Sequence, residues 1–580
     1  MKLNAKMMAM GLCLLVAMAK PALACTNFLV TKSASTDGAT MITYAADSHY
    51  LYGELYFRPA ADYPEGTWFD VYEWDTGRYL GRIPQVRHTY SVVGNMNEYQ
   101  LAIGETTFGG RHELEDSTGI IDYGSLIYLT LQRARSAREA IVTMARLVEE
   151  YGYASSGESF SIADKDEVWV LEMIGKGTNM QTDKKTKKSR NANKGAVWVA
   201  VRIPDGYVSG HANQARITTF ALENMNTSIS SKNLDKIFEP NIEVVYSHDV
   251  VSFARSKGYF NGKDEEFSFS DTYAPITFGG ARFCDARVWS FFKDVNPDMK
   301  SYEDYALGKN LSHRMPLYIK PNRKISVRDL MNFMRDHYEG TTMDMTKDFG
   351  AGPHGLPYRW RPMTWKYNGQ SYVHERATAT QQTGFSFVTQ SRNWLPDAIG
   401  GILWFSVDDA ATTVYYPVYC SSTRVAEAYA VGNGDLMNYR ENCAFWTFTK
   451  VSNFAYLRYD LMSADIKKVQ DELEERFIRS TSTVDAEAQN LYKSNPQEAI
   501  RFLTDYSVTT GNYVEARWEQ LFRFLLVKYM DGNVKRQNPD GSFRRSKYYP
   551  GVPDALDNPE YPDWWKKMLI ESTGDKLKQL

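Results

Sequence analysis

The amino-acid sequence predicts an α+β fold, in which a body rich in β-strands is followed by a helical region. Three observations support this prediction. Short β-prone runs separated by polar turns recur between residue 25 and about residue 420. Two helices with amphipathic spacing interrupt these runs near residues 122–150. From about residue 450 the composition becomes charged and helix-forming.

The strands begin with a predicted hairpin. Residues 25–30 are β-prone, and residues 40–44 are β-prone again after a turn that contains Asp37 and Gly38. An Asp-Gly pair between two such runs favours a tight connection. Residues 68–72, 90–93 and 101–103 continue the pattern, so we expect a many-stranded sheet. Further strands are predicted at residues 160–162, 168–173, 197–203, 384–389, 402–406 and 413–416.

Capping residues mark the predicted helices. Asp122 precedes one amphipathic run, and Ser136 with Glu139 forms a capping-box pattern ahead of the next. A further helix is predicted at residues 327–337. In the last part of the chain, Pro496 occupies a first helical position, and residues 531–533 (DGN) end the final long helix. The apolar stripe of this region comprises Ile466, Val469, Leu473, Phe477, Trp518, Leu521, Phe522 and Leu525.

Composition excludes several classes of partner. Lys and Arg total 67 against 70 Asp and Glu, so no overall positive charge indicates nucleic acid. After the first residues, no stretch reaches the roughly 20 apolar residues that a membrane span requires. The nine histidines are scattered without a metal-binding motif, so we expect neither a metal nor another cofactor. The basic residues 184–194 are interpreted as a solvated loop.

The first 24 residues have the layout of an export signal. Lys2 and Lys6 precede the apolar residues 7–19, and Ala22 and Ala24 form a small-residue cleavage site. We therefore divide the chain into a signal peptide (residues 1–24), a catalytic domain (25–450) and a helical carboxyl-terminal region (451–580). The expected location is the periplasm or the exterior of the cell.

Cleavage after Ala24 makes Cys25 the amino-terminal residue. One alternative is a lipid-anchored surface protein, but lipoprotein signals usually carry Leu three positions before the cysteine, where this chain has Ala22. If Cys25 is free, its thiol and its own α-amine form a nucleophile with an attached base. The α-amine titrates near roughly 7.7 to 8.0 and the free thiol near about 8.5, so proton transfer between them is feasible. Cys420 and Cys443 could pair in an oxidising compartment, which the sequence leaves open.

Several motifs resemble the cysteine-type N-terminal-nucleophile hydrolases of the dipeptidase family, which are related to choloylglycine hydrolases and penicillin V acylases. The resemblance covers most of the chain, including the helical tail. Its motifs are CTNFLV (25–30), STDG (35–38), ADS (46–48), GETT (104–107), GESF (157–160), RIPDG (202–206) and HANQARI (211–217).

The resemblance implies an αββα four-layer sandwich with the helical region appended, and hydrolysis of short peptides, chiefly dipeptides. It implies that Cys25 is the nucleophile, that Asp47 holds its amine, and that Asn213 contributes to the oxyanion hole. Arg287, with Arg282 as competitor, corresponds to the arginine that closes the site. Asp47 could instead cap a turn, and Asn213 could bind backbone only.

Two further residues are expected near the substrate. Many relatives have an arginine three positions before the aspartate, whereas this chain has Tyr44, which donates a hydrogen bond but carries no charge. Glu105 could bind a substrate α-amine or face solvent at a strand end. His49 and His211 lack a second partner in the sequence, so surface or satisfied polar roles are expected for them.

The leading hypothesis is therefore an exported cysteine dipeptidase. One alternative is an amide or acyl-amino-acid hydrolase of the choloylglycine hydrolase or penicillin acylase type, which uses the same nucleophile. The other is a surface lipoprotein binding module that is anchored through Cys25. The sequence leaves open whether the protein forms a homo-oligomer, which dipeptides it prefers and what the helical tail does.

Overall fold

The computed structural model describes residues 24–360 and 363–579. The predicted signal peptide lies outside the described residues except for Ala24. The helices are α1 Tyr123–Leu131, α2 Ala137–Tyr151, α3 Val250–Ser256, α4 Phe269–Tyr273, α5 Ala286–Val295, α6 Glu303–Ala306, α7 Val327–Phe333, α8 Asp397–Gly400, α9 Ala444–Ala455, α10 Tyr459–Ser494, α11 Pro496–Tyr529 and α12 Asp563–Thr573.

The strands complete an α+β fold, as predicted. They are β1 Asn27–Val30, β2 Met41–Asp47, β3 Phe57–Arg58, β4 Ala61–Asp62, β5 Trp68–Tyr72, β6 Tyr79–Pro84, β7 His88–Thr89, β8 Val92–Val93, β9 Met96–Asn97, β10 Ala102–Gly109, β11 Gly157–Ala163, β12 Val168–Gly175, β13 Met180–Thr182, β14 Ser189–Asn191, β15 Ala196–Arg202, β16 Val208–His211, β17 Ser228–Ser230, β18 Val244–Tyr246, β19 Tyr318–Ile319, β20 Thr364–Tyr367, β21 Gln370–Val373, β22 Thr383–Ser391, β23 Gly401–Val407, β24 Tyr416–Tyr419, β25 Val534–Lys535 and β26 Leu556–Asp557.

Two large sheets contain most of the strands. The first has seven strands in the order β19-β16-β1-β2-β22-β23-β24, and the second has nine in the order β17-β18-β15-β12-β11-β10-β9-β8-β3. The predicted hairpin is confirmed, because β1 and β2 pair antiparallel with Leu29 opposite Ile42. The predicted many-stranded sheet is present and contains β8 and β10, but residues 68–72 form β5, which pairs only with β6 in a separate two-stranded sheet.

Helices cover the outer faces of the two sheets. Apolar residues of α1 and α2 form one buried cluster with Phe160, Ile162 and Leu171 of the nine-stranded sheet. The opposite face of that sheet shares a second cluster with Leu29 and Ile42 of the seven-stranded sheet. Because neighbouring residues of a strand point to opposite faces, one strand contributes to both clusters.

The two sheets approach closely beside β1. The side-chain nitrogen Nδ2 of Asn27 donates to the backbone oxygen of Glu105 at 2.6 Å. A Cβ atom on Gly104 would clash with Oδ1 of Asn27, so a larger residue would displace the Asn27 side chain that makes this hydrogen bond. This contact brings the ends of β1, β2 and β10 together.

The capping predictions are largely confirmed. Asp122 accepts from the backbone of Ser125, and Ser136 accepts from the backbone of Glu139 at 3.2 Å. The return bond of the predicted capping box is shifted by one residue, because Glu139 accepts from the backbone nitrogen of Arg135 at 2.7 Å. Pro496 is the first residue of α11, and that helix ends at Tyr529 before the DGN segment.

The long helices α10 and α11 share a core with the seven-stranded sheet. Leu473, Phe477 and Trp518 belong to the same buried cluster as Phe387 and Trp404 of that sheet. Each such side chain contributes about 1.5–3 kcal/mol by burial. The helical region is therefore integrated with the body by shared apolar packing.

Two further features complete the fold. Among the described residues, no helix is both long and apolar enough to cross a membrane. Cys420 and Cys443 are free thiols, so the pairing that the sequence left open is absent from the described part of the chain. Their sulfur atoms donate to the backbone oxygens of Asp397 at 3.3 Å and Asn433 at 3.1 Å respectively.

Candidate active site

Cys25 lies two residues before the first residue of β1, where the two sheets meet. Its side chain is buried, with an exposed fraction of 2%. Thr26 forms an isolated antiparallel bridge to Ala45 of β2, which holds the start of the chain against that strand. Residue 24 is attached to Cys25, so the Cys25 nitrogen is a peptide nitrogen, and it would become an α-amine only on cleavage after Ala24.

A network of polar groups holds the Cys25 main chain. The Cys25 nitrogen donates to Oδ1 of Asn213 at 2.9 Å. Arg287, from α5, donates from Nη1 to the Cys25 backbone oxygen at 2.5 Å and to Thr26 Oγ1 at 2.8 Å. Its Nη2 donates to Asn213 Oδ1 at 2.8 Å and to the backbone oxygen of Ala212 at 3.2 Å.

The donors of Arg287 are fully used within the protein. Its Nε donates to the backbone oxygen of Phe283 at 3.0 Å, which completes the five N–H donors of a guanidinium group. Arg287 therefore fixes Cys25 and Asn213 through direct hydrogen bonds, and its predicted role in substrate binding stays a prediction. The competitor Arg282 is turned away from Cys25 and pairs with Glu375, to which its Nε donates at 2.8 Å.

The Cys25 sulfur faces Tyr44 and Glu105. Sγ lies 3.7 Å from the Tyr44 hydroxyl and 3.6 Å from Oε1 of Glu105. The Tyr44 hydroxyl also donates to that Glu105 oxygen. The ring of Tyr44 packs edge-on against Phe385 and Phe387, which keeps its hydroxyl directed at the site. The thiol, the phenol and the carboxyl group of these three residues are therefore in mutual contact in a buried cluster.

Burial alters the acidity of these groups. Removal from water raises the pKa of the Cys25 thiol well above its usual range, and the charges of Glu105 and Asp47 raise it further. Burial also raises the pKa of Glu105 to about 7, against hydrogen bonds such as that from Tyr44, which lower it. The neighbouring Glu158 has a raised pKa because of its own burial and the charge of Glu105.

Asp47 lies at the end of β2 and is paired with Arg376. Arg376 Nη2 donates to Asp47 Oδ2 at 2.5 Å, and Thr383 Oγ1 donates to Asp47 Oδ1 at 2.6 Å. Burial raises the Asp47 pKa, while the positive charge of Arg376 lowers it. The backbone oxygen of Asp47 accepts from the backbone nitrogen of Ala24 at 2.9 Å. Asp47 is therefore linked to the residue before Cys25 in two ways. Its carboxylate binds Arg376, which also binds the Ala24 oxygen, and its backbone oxygen binds the Ala24 nitrogen.

The two histidines lie in different environments. His211 is buried, and its ring nitrogens lie 2.7 Å from Thr106 Oγ1 and 2.7 Å from Ser161 Oγ. Burial lowers the pKa of His211 to about 3, so the ring is neutral near pH 7. His49 is exposed in a turn. These positions agree with the satisfied polar and surface roles that the sequence indicated.

Sequence reasoning missed Arg376, Thr383 and Glu158 as parts of the site. Arg376 is 329 positions from Asp47, and no motif links the two. Glu158 does belong to one of the recognised motifs, which is a signal that could have drawn attention to it. Among the described residues, no group of three or more His, Cys, Asp and Glu side chains is arranged to hold a metal ion.

The amino-acid sequence from residue 24 to residue 472 matches peptidase family C69. The chain belongs to this family. The match includes every candidate site residue from Cys25 to Arg376 and extends into α10. Membership confirms the resemblance to cysteine-type N-terminal-nucleophile hydrolases that the sequence motifs indicated.

Curated relatives of this C69 peptidase align over most of their length. A probable dipeptidase of Latilactobacillus sakei is 25% identical over 425 residues, which are 70% of this chain and 76% of the relative. A probable dipeptidase of Salmonella dublin is 24% identical over 421 residues, covering 68% of this chain and 81% of the relative. Probable dipeptidase B of Streptococcus pyogenes serotype M1 is 22% identical over 503 residues, covering 82% and 87%.

Proposed function

We propose that this C69 peptidase is an exported cysteine dipeptidase in which Cys25, made amino-terminal by removal of residues 1–24, attacks the peptide bond of a dipeptide. One observation carries the proposal: the nitrogen and the sulfur of Cys25 each have a separate polar side chain as partner. The nitrogen bonds to Asn213 at 2.9 Å, and the sulfur lies 3.6 Å from Glu105. The names of the curated relatives agree with this activity.

The proposed reaction uses two groups of Cys25, its thiol and its α-amine. In the processed chain the neutral α-amine of Cys25 takes the thiol proton, and the thiolate attacks the scissile carbonyl carbon. The carbon–nitrogen bond then breaks, and the resulting α-ammonium returns the proton to the leaving amine. Water attacks the thioester with the same amine as base, and the acid product and the thiol are released.

The surrounding residues have distinct proposed roles. Asn213 orients the amine through Oδ1, and Arg287 holds both Asn213 and the Cys25 backbone. The role of Asn213 in an oxyanion hole remains a prediction, since its Nδ2 donates to the backbone oxygen of Thr107 at 2.8 Å. In the unprocessed chain Asp47 contacts residue 24 and Arg376, and its part in holding the amine of the processed chain remains a prediction.

Glu105 favours a dipeptide over the alternative acyl amide. A carboxylate beside the nucleophile sulfur suits the free α-ammonium of a dipeptide, whereas an acyl group offers it no cation. The burial of Cys25 also opposes the lipoprotein alternative, because a lipid chain on Sγ would have to leave a site that is 2% exposed. Two sheets that share a core between outer helices support the αββα sandwich as part of the proposal.

A one-residue extension tests the proposal sharply. Protein that begins at Cys25 is expected to hydrolyse dipeptides, whereas protein that begins at Ala24 is expected to be inactive because its Cys25 nitrogen is an amide. Intact mass and amino-terminal sequencing verify each form, and the same methods on exported protein locate the natural cleavage. Cys25→Ser should strongly reduce activity, while Cys443→Ser serves as the thiol control. Full activity in the extended protein would refute the amine as base.

A further inference from the structure

We propose that Arg376 binds the free α-carboxylate of the leaving residue, in the space that the main chain of Ala24 fills before processing. This inference rests on the proposed function and specifies one half of the substrate site. On this inference, efficient cleavage requires the free carboxylate of the dipeptide as well as the scissile bond.

The main chain of Ala24 is held at both of its polar atoms. Its nitrogen donates to the backbone oxygen of Asp47 at 2.9 Å. Its oxygen accepts from Nη2 of Arg376 at 2.9 Å. The same Nη2 also donates to Asp47 Oδ2. Removal of residue 24 therefore leaves an acceptor on Asp47 and a donor on Arg376 beside the new amino terminus.

Arg376 also has an unused donor before processing. Its side chain is buried, with an exposed fraction of 5% for the residue. Its Nη1 donates to the backbone oxygen of Ala377, but Nε has no hydrogen-bond partner among the described residues. After processing, Nε and Nη2 on one side of the guanidinium both need an acceptor. A carboxylate offers two oxygens to such a pair of donors.

The chemistry requires the leaving residue to occupy this position. The Cys25 α-amine must lie within about 2.6–3.2 Å of the leaving nitrogen to protonate it. The carbonyl carbon of Ala24 was bonded to that same Cys25 nitrogen, so the two groups share one region of the site. The carboxylate carbon of an amino acid is two bonds from its nitrogen, which brings it within reach of Arg376.

The charged side chains around Cys25 are arranged to match the two charged ends of a dipeptide. Arg376 lies on the nitrogen side of Cys25, where it contacts the backbone oxygen of Ala24, with Asp47 as the opposing carboxylate. Glu105 lies on the sulfur side, next to Glu158. A bound dipeptide would thus present its ammonium to the acidic side and its carboxylate to the basic side. Arg376 also lines a small cavity with Thr380 and Gln382, so protein does not fill all the space beside it.

Comparison of a dipeptide with its carboxamide tests this role. For the processed protein we expect kcat/KM to be about 100-fold higher for a cleaved dipeptide than for the same dipeptide with a carboxyl-terminal amide. Arg376→Gln removes the partner of Asp47 and should lower both values, but it should lower the value for the dipeptide much more than that for the amide, so that the ratio falls towards one. Arg376→Lys should restore part of the ratio because it keeps the charge.

The ratio is independent of the fraction of active enzyme, so partial unfolding of a variant does not affect it. Arg359→Gln is the matched control, because Arg359 lines the same cavity but binds Asp348 and backbone oxygens. A wild-type ratio near one, or an unchanged ratio in Arg376→Gln, would overturn the inference and leave the dipeptidase proposal intact. Absence of any dipeptide hydrolysis by processed wild-type protein would instead refute the proposed function.

Discussion

The backbone nitrogen of Cys25 and the side-chain oxygen of Asn213 are joined by a hydrogen bond of 2.9 Å across 188 positions of the chain. The orientation of the Asn213 amide follows from its other partners. Arg287 donates to Oδ1, and Nδ2 donates to the backbone oxygen of Thr107. An inverted amide would place donor against donor and acceptor against acceptor. Asn213 therefore presents an acceptor to the Cys25 nitrogen.

Replacement of Asn213 by glycine should lower kcat for dipeptides by about 100-fold, because the amine loses its orienting acceptor. Glycine is chosen because Asn213 has a φ of 60°, which other side chains adopt at a cost. Asn442→Gly is the matched control, since Asn442 has the same φ but is exposed. Steady-state kinetics on the processed variants measures the effect. Unchanged kcat in Asn213→Gly would contradict the role.

Glu105→Gln should abolish the change in kcat/KM near pH 7 that we expect from ionisation of the Glu105 carboxyl group. Because the pKa of Glu105 is raised to about 7, ammonium binding should strengthen as pH rises through this value. The variant should have a higher KM for dipeptides and no such change near pH 7. Measurement of kcat/KM against pH tests this, and a KM equal to that of the wild type would count against ammonium binding.

The same substitution should stabilise the protein at neutral pH. A carboxyl whose folded pKa is about 7 and whose unfolded pKa is near the ordinary 4.5 loses its contribution to stability as pH rises between these values. The loss amounts to about 3 kcal/mol and is absent from Glu105→Gln. Urea unfolding at pH 4.5 and pH 8 measures it. Asp408→Asn, at a buried group whose pKa is also about 7, should show the same stability trend with unchanged activity.

Tyr44→Phe should lower kcat by about tenfold and move the activity optimum to higher pH. The Tyr44 hydroxyl lowers the pKa of the Cys25 thiol and of Glu105 by hydrogen bonding, so its removal disfavours the thiolate. Packing against Phe385 and Phe387 is retained by the phenyl ring. Tyr416→Phe removes a buried hydroxyl outside the site and should keep full activity. An unshifted optimum in Tyr44→Phe would show that Tyr44 has no part in thiol ionisation.

Asp485→Ala should destabilise the whole protein by about 3–5 kcal/mol, because it leaves the buried Arg392 without its charge partner. Arg392 follows β22, and Asp485 lies on α10, so the pair joins the body to the helical region. Asp505→Ala, at an exposed ion pair with Arg424, should change stability by less than about 1 kcal/mol. Thermal unfolding followed by circular dichroism compares them. Loss of α10 and α11 alone, with the body still folded, would contradict shared packing.

Local patterns in the sequence were sufficient to predict many elements of the fold. The hairpin of β1 and β2, the capped starts of α1 and α2, and the stripe of α10 depend on residues that are close in sequence. The separate pairing of β5 with β6 could not be predicted, because a β-prone run does not specify its partner. The return bond of the capping box, which goes to Arg135 and not to Ser136, likewise depends on the path of the backbone just before α2.

Sequence by itself was sufficient to predict Cys25 as the nucleophile of this C69 peptidase, because the thiol and the main-chain nitrogen belong to one residue and the motifs around it are local. It also brought forward Tyr44, Asp47, Glu105, Asn213 and Arg287 as residues of one site. Only the tertiary structure decided what each contacts. Arg376 contacts Asp47, which is 329 positions away in the chain, and all the donors of Arg287 bind other groups of the protein. Strand pairing and sheet packing bring these residues together, and neither can be read from local sequence.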